Sequence, residues 1–167
     1  GCQVVMAQSA NPNWPTAAKE GFGTSTTLAS KVWFTLANGV MTEVFYPTVD
    51  HPNVHTLQFQ VRTGTKIENE IDDTVHRLEL PNPASLTFRQ INRAKSGAYT
   101  ITKTYITDPH RSTVLIDVNF DSQNDAQLYV SYVPSPNTKA SALVPSCGNQ
   151  PGPLKHKCTI ALAFGTT

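Results

Sequence analysis

No apolar run in this chain approaches the ~18 residues that a membrane-crossing helix requires, so a helical span is excluded. Charge is scarce too: 15% of residues are charged, 13 basic against 12 acidic, for a net charge of +1. With no block of like charge, nothing tracks a phosphate backbone or an anionic lipid surface, which argues against nucleic acid and membrane as partners. Cysteine is limited to Cys2, Cys147 and Cys158. Zinc sites need closely paired ligands such as C-x₂-C, and these spacings supply neither that pairing nor a disulfide framework. Cys147 and Cys158 can bridge in an oxidising compartment, which leaves Cys2 over. Also missing is any amphipathic helical repeat of useful length, so fold classes built on helices are poor candidates.

What remains is Thr, Ser, Asn, Pro and Val, the profile of an all-β and often secreted protein. At 167 residues the chain can build one domain with a real core. The organising stretch is Lys31 to Tyr46, two β-rich runs joined by Asn38-Gly39. An Asn-Gly loop suits a type I′ turn, which needs φ > 0 at both central positions, so a hairpin is expected. Its register should set Ala37 opposite Val40, Leu36 opposite Met41, Phe34 opposite Glu43 and Trp33 opposite Val44. Val32, Phe34 and Leu36 then share one face and Trp33 and Thr35 the other, so both faces are largely apolar. That pattern fits a strand covered on two sides, inside a thick sandwich or against a partner domain. Pro47, lacking an N–H, ends the second strand.

Further strands follow by alternation. Leu57, Phe59 and Val61 point inward from one; Thr74 to Leu80 and Leu86 to Arg93 form two more. Tyr99, Ile101 and Tyr105 share a face opposite the row Thr100, Thr102 and Thr104, a row that suits a solvated sheet or a sugar. Val114 to Phe120 and Leu128 to Tyr132 alternate likewise, and Cys158 to Gly165 is a final apolar strand. Short, evenly spaced strands broken by turn residues predict an antiparallel β-sandwich.

Between these elements lie segments with weaker signals. Gly21-Phe22-Gly23 reads as a turn, or as backbone that must come close to something. Pro52 between His51 and His55 argues against the helix that would aim both at one metal. Glu68, Glu70, Asp72 and Asp73 match no calcium loop and read as an exposed turn. Neither a metal nor a cofactor is implied. Residues 1–18 are expected to be a signal-peptide remnant, the end of a lipobox with Cys2 lipidated, or a disordered linker. Residues 19–133 form the sandwich, 134–157 a Pro- and Ser-rich loop, and 158–167 the last strand. An extracellular or periplasmic location is expected.

Five motifs occur in order: Lys19-Glu-Gly-Phe-Gly-Thr-Ser25, Lys31-Val-Trp-Phe-Thr-Leu-Ala-Asn-Gly39, Glu43-Val-Phe-Tyr-Pro-Thr-Val-Asp50, Ala94-Lys-Ser-Gly97 and Thr107-Asp-Pro-His-Arg-Ser-Thr113. With them the chain resembles, from about Trp14 to Tyr132, the N-terminal domain of prokaryotic glucoamylases and glucodextranases of glycoside hydrolase family 15. The resemblance implies a supersandwich similar to galactose mutarotase and to carbohydrate-binding folds of glycoside hydrolases. It also implies a partner, a separate catalytic barrel of paired helices in the same parent polypeptide. That barrel removes glucose from α-glucan ends by inversion, with two carboxyls ~6.5–9.5 Å apart. Neither catalytic glutamate can be placed here. Glu43 and Glu79 lie within strand patterns, and no catalytic residue is assigned.

Family domains of this kind are longer, and 137–157 matches nothing in them, as a truncated or internally deleted domain would. Unpaired strand edges and low solubility are expected of the isolated chain. Three readings follow: a non-catalytic domain buttressing the barrel, a carbohydrate-binding module for starch or dextran, or an inactive fragment. Trp14, Trp33, Tyr46 and Asp50 are the candidates for sugar contact or domain interface, although packing is the commoner fate of such aromatics.

Overall fold

The computed structural model describes residues 2–6, 19–135, 141–149 and 155–165. In chain order its strands are β1 (Cys2–Met6), β2 (Gly21–Thr24), β3 (Trp33–Ala37), β4 (Val40–Phe45), β5 (Pro52–Thr63), β6 (Lys66–Asn69), β7 (Thr74–Asn82), β8 (Thr87–Ala94), β9 (Tyr99–Thr107), β10 (Thr113–Ser122), β11 (Gln127–Pro134), β12 (Ser141–Asn149) and β13 (Lys155–Phe164). One helical turn, α1 (Glu70–Asp73), precedes β7, and a 3₁₀ turn (Pro83–Ser85) precedes β8. The strands form two sheets, ordered β1-β11-β5-β4-β3-β2 with β6 on β5, and β12-β13-β10-β9-β8-β7. β1 runs parallel to β11. The remaining pairings are antiparallel. This is the all-β sandwich that strand spacing predicts.

The core lies between the inner faces. Phe34, Leu36, Met41, Leu57 and Phe59 come from the first sheet and Ile101, Tyr105, Ile116, Phe120 and Ile160 from the second, all at 0–1% exposure. Each such side chain contributes ~1.5–3 kcal/mol on burial. Phe34 is central: its ring stacks on Tyr105 at 5.7 Å and meets Phe88 edge-on at 6.2 Å. Gly23 sits directly beneath it, where a Cβ would fall 2.1 Å from the ring. The close approach foreseen for Gly21-Phe-Gly23 is therefore to a core phenylalanine, from within strand β2 rather than from a turn.

Three expectations need correction. The hairpin register holds at Ala37–Val40 and Leu36–Met41, then slips, so that Thr35 faces Glu43, Phe34 faces Val44 and Trp33 faces Phe45. Thr42 is the extra residue of this bulge. It is buried, and its hydroxyl lies 2.8 Å from that of Thr35. Secondly, the span 134–157 is not all loop, since β12 pairs with β13 along its length and sets Cys147 opposite Cys158. Likewise Cys2–Met6, within the stretch read as leader or linker, pairs with β11. Finally, Glu68 and Glu70 are buried at 6% and 1% exposure, not in an exposed turn.

Candidate functional site

Two features of the sandwich concentrate polar chemistry. The first is interior. β8 presents Phe88, Gln90, Asn92 and Ala94 inward, and β9 presents Tyr99, Ile101, Lys103 and Tyr105, so two amides, an ammonium and two phenols are turned into the core. Gln90 and Lys103 are register partners. The Lys103 ammonium meets Glu70 at 2.7 Å, with 0% and 1% side-chain exposure. The Lys103 Nζ also donates to the carbonyl of Gly39 at 2.6 Å and lies 5.7 Å from the Phe59 ring centroid. Asn92 donates to Glu70 Oε1 at 2.6 Å and to Gly39 O at 2.7 Å. Glu70 Oε2 accepts from the backbone N–H of Phe59 at 2.7 Å. With its amide oriented to satisfy both ends, Gln90 donates to Gly39 O at 3.1 Å and to the Tyr105 hydroxyl at 2.8 Å, and accepts from Val40 N at 3.3 Å.

The hairpin tip of one sheet is thus tied to the inner face of the other through the Gly39 carbonyl and the Val40 N–H. Burial pushes the Lys103 ammonium below its usual pKa, and the Glu70 carboxylate opposes that shift. Burial, with the Glu70 carboxylate second, holds the Tyr105 phenol well above its ordinary value. Removing two charges from water is costly, and only close geometry with further hydrogen bonds offsets it, as here. Without solvent access the pair fixes position and reaches no substrate. Sequence reasoning missed it, although a lysine at an inward register position was a usable signal.

The second feature is a groove of about 530 Å³ at one end of the sandwich, lined by Thr24, Ser25, Thr27, Leu28, Ser30, Lys31, Trp33, Pro47 and Thr48. Cross-sheet hydrogen bonds hold its wall. Thr107 Oγ1 donates to Thr24 O at 2.9 Å, Lys31 N to Ser112 Oγ at 3.0 Å, and Thr27 Oγ1 to Pro109 O. Four of the sequence motifs, around Thr24, Trp33, Pro47 and Asp108, therefore converge in space. Ser30 is 5% exposed, and its hydroxyl has no partner among the described residues.

The sequence-predicted candidates separate. Trp33 is half-buried and lines the groove. Tyr46 follows Phe45, the register partner of Trp33, and so points to the opposite face, where it packs against the core and stacks on Phe164 at 5.9 Å. Asp50 is exposed on the following turn, 3.2 Å from His51 Nδ1. Its carboxyl is held below the usual range by the Thr48 hydroxyl first, then by its own backbone and His51. Trp14 lies outside the described residues. Among the described residues no cluster of three or more His, Cys, Asp or Glu could hold a metal, and no helix is long and apolar enough to cross a membrane.

Two facing sheets, almost wholly antiparallel, with a closed, ion-paired interior and a groove at the loop end define the class: an all-β sandwich domain. The family model described as glucodextranase, domain N, matches residues 6–152, and the chain belongs to that family. A glucoamylase from Clostridium sp. (strain G0005) is 38% identical over 136 residues, which make up 78% of this chain and 19% of the relative. The crystal structure of a bacterial glucoamylase complexed with acarbose has the same fold, with a TM-score of 0.74 at 23% identity, covering 98% of this chain and 32% of that one.

Proposed function

We propose that this chain is a non-catalytic N-terminal domain of a glucoamylase-like α-glucan hydrolase and supports a separate helical-barrel catalytic domain. The observation that carries the reading is coverage: a segment matching the N-domain family spans only 19% of a glucoamylase. The carboxylates fit a structural role. Glu70 is sealed against Lys103, Glu43 is bridged by Lys19 at 2.8 Å, and Glu79 is paired with Arg77. Inverting hydrolysis instead needs two carboxyls ~6.5–9.5 Å apart across a sugar-sized opening. The outer face of the first sheet carries an apolar patch, Phe22 at 49% exposure with half-buried Trp33 and Phe45, that suits a domain interface. We place the domain outside the cytosol. The disulfide at Cys158 supports that, because such bonds persist in oxidising compartments.

The purified chain should release no glucose from starch or dextran, and reproducible release would sink the non-catalytic assignment. Support of the barrel is tested by exchanging the matching segment of the Clostridium glucoamylase for this chain. The chimera should stay soluble and active, whereas deleting the segment should shorten the enzyme's half-life on heating. Equal half-lives with and without the segment would remove the supporting role.

A further inference from the structure

We infer that Asn38-Gly39 is a deamidation site that the closed sandwich keeps silent and that each parting of the two sheets exposes. It is the one Asn-Gly pair in the chain. The modification needs no reactant but water. The Gly39 backbone nitrogen attacks Cγ of Asn38, the new C–N bond closes a five-membered succinimide, and the Cγ–Nδ2 bond breaks, ammonia leaving with the Gly39 amide proton. Water then adds to one of the two ring carbonyls, and that carbonyl's bond to nitrogen breaks. Opening at Cγ leaves aspartate; opening at the main-chain carbonyl leaves isoaspartate, whose backbone is one carbon longer. Glycine eases the attack, because no side chain shields its nitrogen.

Three features of the folded chain block that first step. Asn38 and Gly39 have φ of 50° and 74°, the signs a type I′ turn requires. About the Asn38 Cα–C bond, such a turn sets the Gly39 nitrogen on the side opposite Cβ, so the ring closes only if the tip changes conformation. Secondly, Gly39 is buried, and a Cβ built on it would lie 2.9 Å from the Asn92 amide and 3.0 Å from His76 Cβ. Thirdly, its carbonyl accepts from Lys103 at 2.6 Å and from Asn92 at 2.7 Å. Turning the Asn38–Gly39 peptide into the reactive geometry breaks both bonds inside the core, which costs most at the Lys103 ammonium with its 0% exposure. The reaction therefore waits for the sheets to open. The same contacts make the damage lasting. Isoaspartate lengthens the tip and displaces the Gly39 carbonyl from its donors, and either product puts a carboxylate on residue 38, whose N–H meets Glu20 Oε1 at 3.4 Å. Unfolding becomes progressively irreversible.

Peptide mass spectrometry of the chain held at mildly alkaline pH, with and without denaturing guanidinium chloride, measures the modification, and dilution of the denatured sample measures what refolds. Deamidation at Asn38 is expected to run at least ~tenfold slower in the folded chain than in the unfolded one. The refoldable fraction should fall in step with it, and Asn38→Gly, which keeps a pair suited to a type I′ turn, should hold that fraction through the same incubation. Equal rates in the two states overturn the proposal. So does a deamidated chain that refolds with the native guanidinium midpoint. Should Asn38→Gly fail to fold, the two rates and that midpoint decide, since neither needs a variant.

Discussion

Removing one member of the Glu70–Lys103 pair strands the other charge in the core, at 0–1% exposure. Lys103→Met alone should therefore cost ~3–5 kcal/mol. Combining it with Glu70→Leu should cost less than the sum of the two single changes, because no lone charge is left. Recovery will be partial, since Glu70 also serves the Phe59 N–H and Asn92. Urea denaturation of the four chains measures the coupling, and strict additivity would show that the pair does not act as a unit. Tyr105 gives a pH signature. Its phenol is held above its ordinary value, so the unfolded chain deprotonates first. Its contribution is complete below pH ~10 and is lost as pH rises above that. Lys103, depressed by burial, works in the opposite sense, with stability rising between its folded pKa and its ordinary value. Tyr105→Phe should start less stable, through the lost contact with Gln90, yet lose less between pH 10 and 11 in a series of thermal melts. A slope identical to that of the native chain would assign the alkaline loss to other groups.

Among the elements, β2 shows how one missing side chain sets the packing of a sheet. Phe34 reaches Phe88 and Tyr105 by lying across Gly23. Gly23→Ala would place a methyl within 2.1 Å of that ring and push it off its partners. We expect a loss of at least ~2 kcal/mol, the scale of overpacked cores, partly recovered by adding Phe34→Leu. Urea midpoints check both, and a neutral Gly23→Ala would mean that β2 can shift outward from Phe34. Regular alternation made β9, β10 and the inward residues of β5 legible. The Thr42 bulge was not legible, because an extra residue in a hairpin alters no local pattern. It is selected by the buried Thr35–Thr42 contact and by the side chains that must face inward. β12 escaped for a related reason. Ser141-Ala-Leu-Val-Pro-Ser-Cys-Gly-Asn149 has no alternation and contains Pro145, and it is held as the end strand of its sheet by pairing with β13.

For the whole molecule, both sheets end in strands with one side unpaired among the described residues, and several large apolar residues face outward. Val75 is 64% exposed and Ile67 62%. Such surfaces promote association unless covered. The isolated chain should self-associate as its concentration rises, and Val75→Lys with Ile67→Lys should reduce this in light scattering while shifting stability by no more than ~0.5 kcal/mol each. A strictly monodisperse native chain would overturn that expectation.

Strand spacing and side-chain alternation by themselves determined the all-β sandwich, the Asn38-Gly39 hairpin and most of the inward apolar set, because a period of two commits each residue to a face before any partner is known. The motif order from Lys19 to Thr113 similarly determined the family. Only the tertiary structure decided which polar residues meet. Glu70, Asn92 and Lys103 lie on three separate elements, and each looks solvated until the two sheets close on the carbonyl of Gly39. The groove is equally non-local, with Thr24, Ser30, Trp33 and Pro47 brought together by bonds to the loop after β9. The slipped register parts Trp33 from Tyr46, because it sets Phe45 rather than Val44 opposite Trp33 and so turns Tyr46 to the other side of the sheet.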